Sequence, residues 1–510
     1  MTEYVEVQTA AGRVRGCWRP TTGGRGAPRS AAFLGIPFAE PPIGELRFQA
    51  PVPRAPWEGV RDALEFGATA QRGDPGVTLI PEPSVEGDST LNVNVFTPDP
   101  TASGLPVVVW IHGGGYFAGS PASPWYDGRN FNRDGVVTVS ISYRLGFDGF
   151  GWIEDAPSNR GVRDWLLALE WVQQNIAAFG GDPDRVTIAG QSAGGGAVLT
   201  LLGMEQAQRL FRVVYAISGA LGDVSASRAE KLGRALAASE GVAPTVAGLS
   251  TVSEDRLLAL QKKATQLGPS SMTTMIEEGL PLGPVVDGDL IVRPTRESLR
   301  AGVGADKPLV LGATDDEFTM VFGGAAAKAL RWVPRTVLLN RLGLPKSTRA
   351  EYLAANADIV RLGKSRLAGR VLTDRMFRVG VLRVAADRGE APTWCTGSRG
   401  PRGASGSPST ASMCRSSSTA SMARLWKLSR GRTRPRNSLT TCTAPRSRSA
   451  PPAIRGGAGT TGVPVSCVST TGPPVTSPTR MRRCGRCSEP GGRSGARRVS
   501  EQPLVPCRTR

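Results

Sequence analysis

Arg185-Val-Thr-Ile-Ala-Gly-Gln-Ser-Ala-Gly-Gly-Gly-Ala197 is the stretch that decides the fold. Arg185 to Ala189 reads as a short strand, because β-branched and apolar residues follow one another with no helical spacing. It runs directly into Gly190-Gln191-Ser192-Ala193-Gly194 and then a run of small residues. A G-x-S-x-G between a strand and a helix is a nucleophile elbow, a tight turn that holds a serine hydroxyl clear of the backbone. Glycines flank the serine because a side chain would collide where the chain doubles back. Out of context the pentapeptide is also a plain glycine turn with a solvated serine; the strand before it and the small-residue run after it favour the elbow.

Upstream, Leu105 to Ile111 reads as a buried strand and ends in His112-Gly113-Gly114-Gly115. Acyl transfer needs backbone N–H groups aimed at a developing oxyanion, and glycines let the backbone approach it closely. The amides of Gly114, Gly115 and Ala193 form that candidate oxyanion hole, against the plainer reading of a glycine turn closing a strand. Val136 to Ile141 is a further strand, and Gly161 to Ala178 a helix with Val162, Trp165, Leu166, Leu169, Val172 and Ile176 on one face. Lys307 to Gly312 is a later strand followed by an acidic loop. Strands alternating with helices predict an α/β fold with a mostly parallel central sheet covered by helices.

These segments resemble the type-B carboxylesterase family, the cholinesterase and bacterial para-nitrobenzyl esterase lineage, across residues 1–394. Phe33 to Ala39, Pro41 to Phe48, Leu91 to Val95, Phe179 to Ile188, Pro284 to Gly288 and Gly312 to Glu317 carry the likeness, in order. The resemblance implies an α/β-hydrolase fold that hydrolyses carboxylic esters with no cofactor, Ser192 as nucleophile and Glu317 as triad acid. Asp315 and Asp316 are adjacent competitors for the acid, and a solvated acidic loop is the plain alternative. Ser218 resembles a second serine that supports the triad in relatives; a buried hydroxyl bonded to backbone explains it as well. Phe117, Trp125, Phe318 and Met320 are candidates for an apolar pocket or for ordinary packing.

The composition breaks at one point. Of 510 residues with net charge +19, the last 116 hold 20 Arg, one Lys and two acidic residues, so residues 1–394 balance to zero. Seven of the eight cysteines also follow Trp394; Cys17 alone precedes it. The neutral body gives no reason to expect nucleic acid or an anionic membrane as partner. One cysteine fits a reducing compartment, the acidic start is unlike a secretion signal, and no apolar run is long enough for a membrane span. The expectation is therefore a cytoplasmic body, and the family resemblance implies a small-molecule ester as its substrate.

The only histidine is His112, inside the glycine loop and badly placed to serve Ser192. The family's histidine follows its acid by roughly a hundred residues, which is where the composition breaks. Stepping the reading frame back one base from Trp394 restores the pattern. Trp394–Cys395 then forces Val, and the next codons permit Tyr-Arg-Phe-x-Trp. Ser409–Thr410 permits His within Phe-His-Gly-Phe-Asp-Val-Pro-Phe, which resembles the family's histidine segment. Residues 395–510 read as an out-of-frame, irregular tail that needs no function. Alternatives are an Arg/Ser-rich arm for nucleic acid, a metal site at Cys484 and Cys487, which lacks a second ligand pair, or a catalytically dead binding member of the same fold. Sequencing the DNA tests the frame directly. The Ser409 codon should end in C and the Gly397 codon in T; any other base at Ser409 removes the histidine.

Overall fold

Leu105–Ile111 and Val137–Ile141 are both strands of one sheet, and their inward apolar residues are buried on both faces, as expected where helices cover a parallel sheet. The computed structural model describes residues 3–22, 28–72, 80–265, 279–317, 319–398, 440–441 and 466–469. In chain order the strands are β1 (Tyr4–Gln8), β2 (Arg13–Pro20), β3 (Arg29–Pro37), β4 (Val60–Asp62), β5 (Asn92–Thr97), β6 (Leu105–Ile111), β7 (Val137–Ile141) and β8 (Gly181–Gln191). There follow β9 (Val213–Ile217), β10 (Val224–Ser225), β11 (Val285–Val286), β12 (Leu309–Thr314), β13 (Thr393–Ser398), β14 (Thr440–Thr441) and β15 (Ser466–Ser469). The main sheet runs β1-β2-β3-β5-β7-β6-β8-β9-β12-β13-β15-β14, with β4 beside β2. From β7 through β15 neighbours are parallel; β1, β2, β3 and β5 form an antiparallel flank.

The chain is thus α/β with a mostly parallel central sheet, as its apolar pattern predicts. The antiparallel flank is an addition: β1 to β2 and β2 to β3 are joined by short connections, which bring antiparallel neighbours together without a helical crossover. The expected helix is Arg160–Asn175, continued by a 3₁₀ turn to Phe179. Val162, Trp165, Leu169, Val172 and Ile176 are buried on the sheet, and Leu166 is half-buried at the edge of that face. The strand β13 crosses the compositional join at 394–395 and pairs with β12 as far as Thr314↔Ser398. Strand pairing uses backbone groups, so it tolerates a change of side-chain composition. β15 and the two-residue β14 continue this edge. The expectation of an irregular tail otherwise falls outside the described residues, as do Phe318, Ser409, Thr410, Cys484 and Cys487.

Two buried polar assemblies sit just past the ends of β6 and β7, and the first ties the sheet to its covering helix. Arg144, just after β7, gives Asp164 three hydrogen bonds, from its backbone N–H (2.9 Å), Nε (2.9 Å) and Nη2 (2.7 Å). Both side chains are buried. Arg160 donates to the carbonyls of Phe147, Asp148, Gly151 and Pro157, and burial together with Arg144 lowers its pKa to about 9. Removing one partner of such a pair strands a charge away from water. Asp164→Ala should therefore cost about 3–5 kcal/mol in a urea titration, and a loss under 1 kcal/mol would show that Arg144 is rehydrated.

The second assembly lies under the glycine loop. The His112 ring stacks on Tyr143 at 4.5 Å and 24°, its Nδ1 stands 2.8 Å from the Gly113 carbonyl, and the Tyr143 hydroxyl donates to the His112 carbonyl (2.9 Å). Burial pushes the His112 pKa down to about 4, below its value in an unfolded chain. The unfolded state therefore takes up a proton first as pH falls, so this contribution to stability is present above about pH 6.5 and is lost toward pH 4. Because no other histidine exists, the effect should be visible. Between pH 7.5 and 5 the wild-type chain should lose about 2 kcal/mol more stability than His112→Asn; parallel urea midpoints for the two proteins would count against it.

Candidate active site

Ser192 occupies the single-residue joint between β8 and the helix Ala193–Leu202, at φ 58° and ψ −121°. A non-glycine residue adopts such a backbone only where its surroundings hold it. Three bonds do so here: Ser192 N–H donates to the Ile217 carbonyl of β9 (2.9 Å), and its own carbonyl accepts from Gly196 (2.9 Å) and Ala220 (3.2 Å). The flanking glycines are required by space. A Cβ on Gly190 would strike the Gly194 carbonyl and one on Gly194 the Ile111 carbonyl, so the elbow sits directly on the end of β6.

That contact places the glycine loop beside the serine. A Cβ on Gly113 would stand 3.2 Å from the Ser192 Cβ and 2.6 Å from the Gln191 carbonyl. Gly114 and Gly115 have φ of 112° and 63°, conformations that favour glycine. Their loop is closed by Phe117 and Ala118 N–H donating to the Gly114 carbonyl (3.2 and 2.9 Å). Ala193 is the first residue of its helix, where backbone N–H groups have no partner within the helix. Among the described residues no protein acceptor takes the amides of Gly114, Gly115 or Ala193.

The acidic loop after β12 separates its three carboxylates. Asp315 faces Arg370 at 3.6 Å; Asp316 faces Arg366 at 3.5 Å and accepts from the Thr319 hydroxyl. Glu317 is buried, and its Oε1 accepts from Ser218 Oγ (2.6 Å) and Thr314 N–H (2.7 Å). Ser218, at φ 48° just past β9, is itself tied to β12 by donating its N–H to Gly312 (2.6 Å). The structure therefore joins Ser218 to Glu317 and leaves the two aspartates to arginines. Thr373, which sequence reading passed over, accepts from the Glu317 N–H (3.0 Å) and fixes that turn from a neighbouring helix. No local pattern marks it, because the contact spans 56 positions. His112 lies beneath the loop in its stack with Tyr143. Of the pocket candidates, Phe117 and Trp125 are half-buried and Met320 is exposed. Among the described residues no cluster of His, Cys, Asp and Glu could hold a metal, and no helix is long and apolar enough to cross a membrane.

Comparison with known proteins gives the same outline. The chain is 36% identical over 300 residues to the para-nitrobenzyl esterase of Bacillus subtilis, covering 57% of this chain and 60% of that one. It is 33% identical over 340 residues to the cholinesterase of Mus musculus, covering 62% of this chain and 54% of that one. The chain thus spans between half and two thirds of these curated relatives. A crystal structure of a Geobacillus stearothermophilus carboxylesterase superposes with TM-score 0.61 at 30% identity, over 78% of this chain and 80% of that chain. Residues 3–397 match the carboxylesterase family throughout, and the chain belongs to that family.

Proposed function

We propose that this chain is the body of a serine carboxylesterase that has lost its triad histidine to a reading-frame slip at residues 394–395. The observation that carries the reading is Ser192 held in a strained elbow against the Gly113–Gly115 loop. In the intact reaction Ser192 Oγ attacks the ester carbonyl as a histidine takes its proton. The oxyanion is held by the N–H groups of Gly114, Gly115 and Ala193. The alcohol leaves with the proton, and water repeats the cycle to release the acid. Glu317, positioned by Ser218, orients the histidine. The substrate is a small-molecule ester, and no nucleic acid or membrane enters. One buried cysteine, Cys17, in the body supports a cytoplasmic setting.

The sheet supports a histidine arriving from beyond β13. That strand is parallel to β12, and its last residue, Ser398, lies level with Thr314, three residues before Glu317. A segment leaving Ser398 starts at the end of the sheet where Ser192 and Glu317 lie. Eleven residues of chain can span up to about 36 Å, ample for a histidine coded across Ser409 and Thr410.

Loss of the base in a triad of this kind costs on the order of 10⁶ in kcat, about 8 kcal/mol of barrier. The polypeptide as written should be nearly inert toward para-nitrophenyl butyrate. Restoring the frame after Trp394 should restore hydrolysis, and Ser192→Ala in that restored chain should abolish it. Full activity from the sequence as written would require a different base. An inactive but well-folded restored chain would favour the catalytically dead binding member.

A further inference from the structure

Gln191 is the last residue of β8 and the direct neighbour of the nucleophile, held in register with Ile217 of β9. Its side chain turns toward the glycine loop: a Cβ on Gly113 would stand 3.2 Å from Gln191 Oε1 and 3.2 Å from Ser192 Cβ. The carboxamide and the serine therefore flank one point, and a substrate seated at Ser192 reaches both. The residue is only 6% exposed. Its carboxamide nevertheless has no hydrogen-bond partner among the described residues, and neither of its polar atoms is sealed from solvent. The polar side chains nearby are committed elsewhere. Ser218 Oγ is bound to Glu317 (2.6 Å), and His112 Nδ1 stands against the Gly113 carbonyl (2.8 Å).

A neutral carboxamide offers an acceptor oxygen and an NH₂ donor group. A substrate that covers it with hydrocarbon strands both, at the cost of hydrogen bonds left unmade. A carbonyl on the ester meets only the donor. An ammonium meets only the oxygen, and a neutral dipole does not compensate the hydration it gives up. A hydroxyl both accepts and donates, so it can use either end of the amide.

We infer that Gln191 is a specificity-determining residue of this site, and that it hydrogen-bonds a neutral hydroxyl borne by the ester within a few atoms of the scissile carbonyl. The inference rests on the esterase reading, which seats that carbonyl at Ser192. It adds the substrate class: short hydroxylated esters, in preference to their hydrocarbon and cationic counterparts. Selection of this kind comes from the polar group that the wrong substrate leaves unpaired, which is how a hydrogen-bonding site rejects an analogue lacking the hydroxyl.

The test reads binding in the full chain carrying Ser192→Ala, so no ester is consumed whatever base is present. Titrations followed by saturation-transfer NMR compare esters that differ in one group. Hydroxyethyl butyrate is set against propyl butyrate for a hydroxyl on the alcohol portion, and methyl lactate against methyl isobutyrate for one on the acyl portion. In one of these pairs the hydroxyl ester should bind about three- to tenfold tighter, the range of one neutral hydrogen bond. Gln191→Leu should erase that preference by weakening the hydroxyl ester alone. With Gln191 in place, the choline ester of butyrate should bind no tighter than neohexyl butyrate, its uncharged counterpart. Equal binding within both hydroxyl pairs would overturn the proposal and leave the esterase reading standing; this arm needs no variant at Gln191 to fold. A hydroxyl preference that survives Gln191→Leu, or a preference for the cation, would overturn it as well. Binding of none of the esters would tell against the esterase reading and take the proposal with it.

Discussion

The backbone at Ser192 is the constraint on which the site depends. A residue with a side chain at φ 58° and ψ −121° carries strain of about 1–3 kcal/mol, so neighbours must leave it no alternative. They do so by contact with the sheet. Gly194 rests against the Ile111 and His112 carbonyls at the end of β6, Gly195 packs on Gly219, and Ser192 N–H is bonded to β9. The joint is therefore only as well defined as the order β6-β8-β9, and that order is set by the apolar strands long before any chemistry is considered. The same closeness that forbids a Cβ at Gly113 puts the loop amides beside the serine.

Charge is handled in two ways around this joint. Where a carboxylate is structural it is matched to a cation: Asp164 to Arg144, Asp316 to Arg366 and Asp315 to Arg370. Glu317 is buried as well, and its Oε1 accepts from the Ser218 hydroxyl and the Thr314 N–H. On the proposed reading it is this carboxylate, rather than Asp315 or Asp316, that orients the imidazolium.

Much of this was legible because short-range rules govern it. The elbow glycines, the strand ahead of them and the helical spacing of Val162 to Ile176 are each written within a dozen or so residues, so local sterics and periodicity suffice. The features that escaped depend on long-range pairing. The antiparallel flank of β1, β2, β3 and β5 is defined by which strands pair, and β3 meets β5 only across 54 intervening residues. Thr373 acts on Glu317 across the fold. The sequence sets His112 apart from Ser192, but the place of its ring beneath the loop depends on Tyr143, which lies one strand over. The strand β13 passes through the compositional join because pairing to β12 is a backbone matter, and composition does not report on it.

The position of the join then has a physical consequence. The groups assembled at the site leave the ends of β6, β8, β9 and β12, four adjacent parallel strands, and all are coded before residue 394. In open sheets of this kind function gathers at the carboxyl ends of the strands, and β13 is the next strand in line. On the proposed reading, a change of reading frame there would leave the sheet able to extend, since its ladder asks little of side chains, and would take away any side chain that the next segment would have brought to the same edge. Loss of chemistry would then be separated from loss of architecture by the sheet itself: the strands before the join build and strain the elbow, and the segment leaving β13 would supply the base for Ser192.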